Sequence, residues 1–334
     1  MAFSGPTGDW KWKREEFGLP FHYSCRSICE ACFAESGPGP YNFCNALMSA
    51  PWALTRRSLP DLLYAIADRD DDKPLTSMPG FHNQSFFEDV MHDDLLGLRP
   101  HACGAALKEL ADSGVYGTFD DIGPWEERLD AQLAVAYVKF CDWAGQKGMG
   151  HSHPKFTHLQ LTLKRKTSEP VLKTKAKNCV VVCAWIASEA SEFKPGTYGE
   201  IRAMVLNAFV SLWDLLHATR FPNWELSDAQ VASLKTIREE LLLGYHWLSK
   251  ENYGSGKAAY HCFPKFHKVD KVLRRAIRTK VSPTMFWTFL SESQMGITAR
   301  LVNNLHGASS GRRGVQRWLL FFFDYLRDRM PSAP

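Results

Sequence analysis

Residues 129–144 read LDAQLAVAYVKFCDWA, and Leu129, Leu133, Ala136, Tyr137, Phe140 and Ala144 fall on one side of a helix at 3.6 residues per turn. The same spacing returns in Ile201, Met204, Val205, Ala208, Phe209, Leu212 and Leu216. A third helix is predicted to start at LSDAQ, residues 226–230, where Ser227 and Gln230 stand at the spacing of a capping box. Its inner face would carry Leu234, Ile237, Leu241 and Leu248. Strand-like alternation is scarce: THLQLTL, residues 157–163, is the best candidate, and CVVVCAWIA, residues 179–187, suits a buried strand or a buried helix equally. From about residue 100 onward the chain is predicted to be mainly α-helical, with only a residual sheet near the amino terminus.

The totals agree with a packed body. At 334 residues, 45% hydrophobic and 13% aromatic, the chain can fill a sizeable core. A formal charge of +4 is mild, so a nucleic-acid surface would need local clustering of cations. Nine cysteines in a chain this long suit a reducing compartment, and a nuclear or cytoplasmic location is expected. The longest apolar runs, CVVVCAWIA and WLLFFF, fall short of the roughly 20 residues of a spanning helix, so no membrane association is expected.

Three stretches carry chemistry. Residues 88–97, EDVMHDDLLG, gather four carboxylates around His92; Asp89 and His92, three apart, would share a face of a helix or tight turn. Cys29 and Cys32 form a Cys-x-x-Cys turn that can place two thiolates on one zinc ion. The other ligands are open: His22 is nearest, with Cys25, Cys44, His82 and His92 as alternatives, and buried free thiols would read the same way. Lys268, Lys271, Arg275 and Arg278 would line one face of a helix, a stripe that suits either phosphate contacts or an ordinary solvated surface. Val269, Val272, Leu273 and Ala276 would cover the opposite face.

Taken in order, GDW (8–10), CEAC (29–32), EDVMH (88–92), a long helical region, PKFH (264–267) and FLSES (289–293) resemble the second half of a DDE transposase. The likeness is to CACTA-type and related cut-and-paste elements. It implies an incomplete RNase H-like α/β core with a large all-helical insertion. The implied segments are 1–99 for the partial core, 100–280 for the insertion and 281–334 for the closing helices. It implies Asp9 and Glu292 as catalytic carboxylates, Asp89 and His92 as their supporting element, and Mg²⁺ as the cofactor of phosphoryl transfer. Zn²⁺ would be structural, at Cys29 and Cys32 with His22. DNA is the implied partner, contacted through Lys268, Lys271, Arg275 and Arg278, with self-association allowed.

There are two departures from that family. Asp9 precedes a helix-like WKWKREEFG and so resembles the second catalytic Asp, which predicts a truncated chain without strand transfer. Where the family carries a second His four residues after His267, this chain has Lys271. The alternatives are a non-enzymatic DNA-binding or scaffold protein, and a zinc-stabilised helical interaction module.

Overall fold

The fold is that of a computed structural model, which describes residues 13–14, 18–67, 87–121, 123–220 and 223–288. Asp9, His82 and Glu292 lie outside the described residues. The chain divides into two compact units, Met1–Trp287 and Thr288–Pro334, and the helices and sites of interest belong to the first.

Among the described residues the chain is mainly α-helical. In order, α1 spans Leu59–Ala67, α2 Arg99–Asp112, α3 Trp125–Gln146, α4 Ala176–Glu192, α5 Gly196–Ala218, α6 Asp228–Gly254 and α7 Pro264–Thr279. A π-helix, Met91–Leu98, runs directly into α2, and short 3₁₀ turns occupy Pro51–Leu54 and Pro283–Phe286. Helix α5 packs most extensively between α4 and α6, while α7 lies against both α6 and the π-helix.

The helical periodicities locate this core well. Leu129, Leu133, Ala136, Phe140 and Ala144 are the buried residues of α3. The capping box of α6 is formed: Ser227 Oγ accepts from the Gln230 amide at 3.2 Å, and Gln230 Oε1 accepts from the Ser227 amide at 2.9 Å. CVVVCAWIA lies within α4, with every residue but Ala184 buried. A helix enclosed on all sides loses the alternation that would separate it from a buried strand.

THLQLTL is not a strand. Leu161 and Leu163 are both buried, as a strand facing the core would have them, but Thr162 between them adopts φ +58°. The Leu161 and Leu163 amides bond back to the carbonyls of Thr157 and His158, so consecutive turns reproduce a period-two burial pattern. Nor does the expected sheet form near the amino terminus: the described residues there make only isolated bridges, Ser27 with Glu35 and Glu35 with Asn42.

Helix α5 is long and apolar enough to cross a membrane by length and composition alone, a property that the runs of apolar residues do not reveal. Here it serves as the central core helix, burying Val205, Leu206, Phe209, Leu212 and Leu216. Its approach to α6 is close because of Gly244. A Cβ there would stand 2.6 Å from Val205 Cγ2 and 2.8 Å from Met204 Cε. Replacing Gly244 by Val should therefore wedge the two helices apart and cost about 1–3 kcal/mol by overpacking. Chemical denaturation checks this; unchanged stability would mean that the helices do not approach this closely.

Candidate metal centre

The CEAC turn is held in shape before any ligand is considered. Arg57 Nε donates to the carbonyls of Cys29 at 3.0 Å and Cys32 at 3.1 Å, and its backbone amide donates to Ala31 O at 3.0 Å. Its guanidinium also lies 4.6 Å from the Phe21 ring centroid and 4.4 Å from that of Phe33. The Ala31 amide points at Cys29 Sγ, 3.4 Å away, which favours a thiolate there. Against this turn packs the first turn of α7, where Pro264 opens the helix and His267 projects inward.

Cys32 Sγ and His267 Nε2 are 3.4 Å apart, and with Cys29 Sγ their ligand atoms all lie within 4.8 Å of one another. Two ligands about 2.0–2.3 Å from one tetrahedral ion stand roughly 3.5–3.8 Å apart, so these three could hold a metal ion. All three side chains are buried, and Trp52 meets the His267 ring edge-on at 4.4 Å. Burial most strongly opposes ionisation of Cys29. The hydrogen bond from Cys32 and the ammonium groups of Lys271 and Lys268 outweigh it and hold this thiol well below the ordinary range. Giving that hydrogen bond, together with burial, pushes the Cys32 thiol up. One deficit remains: His267 Nδ1 is buried with no hydrogen-bond partner among the described residues, where most metal-bound histidines donate from the second nitrogen.

The third member is thus His267, and not the expected His22. His22 sits half-buried with Nδ1 accepting the Ser24 amide, Cys25 Sγ donates to Pro20 O, and the Cys44 thiol is paired with Cys262. His267 closes the PKFH motif, but no local spacing pairs it with the cysteines, because 235 residues separate it from Cys32.

Beside the cysteines lies a buried charge cluster. Lys268 Nζ reaches Glu30 at 2.6 Å and Glu88 at 3.1 Å; Lys13 reaches Glu88 at 2.9 Å and Glu30 at 3.4 Å. Lys271 bonds Glu88 at 2.5 Å, Glu30 at 3.5 Å and Cys29 Sγ at 3.6 Å. Burial raises the Glu30 pKa most, yet the three lysines together bring it well below the usual carboxylate range. Lys268 is raised in turn: burial opposes its charge, and Glu30 and Glu88 more than compensate.

This overturns the solvent-facing stripe. Lys268 is 2% exposed and Lys271 is largely enclosed. Arg275 lies 4.0 Å over the Phe87 ring, and of the four only Arg278 is exposed.

The acidic run 88–97 divides its labour residue by residue. Glu88 joins the lysines. Asp89, 1% exposed, accepts the Met91 amide through one oxygen and contacts His92 Nδ1 with the other at 2.5 Å. Asp93 is pushed up to about 7, by burial first and then by Glu88. Asp94 grips Arg99 through two bonds of 3.0 and 2.6 Å, both side chains buried. Asp93 and Asp94 are buried on the π-helix, and Lys265 Nζ donates to two of its carbonyls, His92 at 2.7 Å and Leu96 at 3.2 Å. Gly97 leaves room for this, since a Cβ would meet His92 O at 2.9 Å.

Set beside known protein families, characterised proteins and solved structures, the chain matches none.

A buried cluster predicts an asymmetric mutational response. Glu30→Gln or Lys268→Met alone leaves charge unpaired in the interior and should cost about 3–5 kcal/mol. The double replacement should cost clearly less than the sum of the two, as a denaturation double-mutant cycle would show. Additive losses would mean that the pair is solvated.

Proposed function

We propose that this chain is a transposase-derived, DNA-associated protein whose cysteine-rich segment is stapled to the helical body by a structural zinc ion. The observation that supports it most is the meeting of three remote motifs at one buried centre. CEAC supplies Glu30, EDVMH supplies Glu88, and the helix opened by PKFH supplies Lys268, whose ammonium bonds both carboxylates. These are the motifs that the family resemblance orders along the chain.

In this reading Cys29, Cys32 and His267 are the residues that would hold the zinc. The ion would supply crosslinking energy that a loop-rich segment lacks. Lys271 stands where the resembled family has its second His, and there it donates to Cys29 Sγ. A lysine ammonium has no lone pair to offer a metal, so it balances the thiolate charge instead.

The same centre bears on catalysis. Three ammonium groups already neutralise Glu30 and Glu88, and Asp89 is enclosed by its contacts with Met91 and His92. These carboxylates therefore act as structure and as support for His92. The chain binds DNA without completing strand transfer.

Metal analysis of the purified chain should find close to one zinc per chain, lost on Cys32→Ser or His267→Gln, with chelation lowering the melting temperature. Zinc-free protein whose melting ignores chelator would contradict the staple. Incubation with duplex DNA and Mg²⁺ should leave the DNA intact. Mg²⁺-dependent cleavage abolished by Glu292→Gln would contradict the inactive reading.

A further inference from the structure

Between the Cys-x-x-Cys turn and α7 lies an open cleft of about 150 Å³ whose lining includes Arg56, Arg57, Lys271, Arg274, Arg275 and Arg278, with no acidic side chain among the described residues that line it. We propose that this cleft is the nucleic-acid site of the protein and that it seats the phosphodiester backbone of one strand of duplex DNA. The proposal rests on the DNA-associated reading and names the surface that carries it.

The cations differ in what they are free to do. Lys271 is drawn inward by Glu88 and Glu30, and Arg274 by Asp270 and the carbonyl of Leu47. Arg57 is bound to the Cys29 and Cys32 carbonyls. These three form a positive floor whose geometry is already fixed. Arg56 and Arg278 are exposed and pair with no carboxylate among the described residues. Arg275 lines the cleft while its guanidinium lies over the Phe87 and Phe286 rings, which restricts its motion.

Lys271, Arg274, Arg275 and Arg278 occur within two turns of one helix face, a row roughly 10 Å long at 1.5 Å per residue. One strand of a duplex presents about three phosphates over that distance of axis. Arg56 forms the facing wall, on a loop that Arg57 ties to the CEAC turn. A row of arginine forks with two walls suits a run of phosphates, which planar guanidinium groups bind bidentately. A single small anion would use only part of it. The DNA contact thereby moves from the buried Lys268 and Lys271 to Arg56, Arg275 and Arg278.

The test is fluorescence anisotropy of the full chain with a labelled duplex of arbitrary sequence, over roughly 50 to 200 mM salt. The variant Arg56→Ser/Arg275→Gln/Arg278→Ser is compared with Lys164→Ser/Arg165→Ser/Lys166→Ser, which removes equal charge from an exposed loop outside the cleft. The cleft variant should bind at least roughly tenfold more weakly, and its salt slope should fall by about 2–3. The loop variant should stay close to wild type. A melting curve confirms that each variant is folded. Duplex binding that survives in the folded cleft variant, or falls equally in both variants, would overturn the cleft while leaving the DNA-associated reading standing. Absence of duplex binding by the wild-type chain at low salt would overturn both.

Discussion

Two glutamates and three lysines enclosed together are the constraint on which the rest of this unit depends. Carboxylates and ammonium groups lose several kcal/mol each on leaving water, and only mutual pairing at short range offsets it. Glu30, Glu88, Lys13, Lys268 and Lys271 achieve this by arriving from four separate stretches of chain, so the full set of pairings forms only when all four have docked. The cluster thereby specifies one placement of the cysteine-rich segment against α7. Apolar packing supports that placement through a small core of Ile28, Phe43, Ala50 and Trp52.

Docking of these segments shapes their surroundings. Glu88 points inward to the lysines while Asp94, six residues on and within the π-helix, reaches Arg99. Lys265, next to the cluster on α7, bonds the carbonyls of that turn. Docking also brings His267 to the cysteines and sets Arg56 across from Arg278, so the metal centre and the cationic cleft are two sides of one interface.

Helices with one dry face are legible in the sequence, as the buried residues of α3 and the capping box of α6 illustrate. Residues with uniform or long-range surroundings are not. CVVVCAWIA shows no period because α4 is enclosed all round, and THLQLTL imitates a strand because turns bury alternate leucines. Lys268 and Lys271 imitate a surface stripe, since a helical row of cations looks the same whether water or carboxylates face it. The thiols of the metal centre announce themselves through local spacing, whereas His267 and Glu30 acquire meaning only from partners far along the chain.

If one buried cluster couples four remote segments, disturbing it in one of them must loosen the others. Hydrogen–deuterium exchange on a Glu88→Gln chain measures this directly, because Glu88 belongs to only one of the four. Exchange should quicken at residues 28–32 and in the first two turns of α7 as well as around residue 88, with α4 and α5 unaffected. Faster exchange confined to the neighbourhood of residue 88 would contradict the coupling.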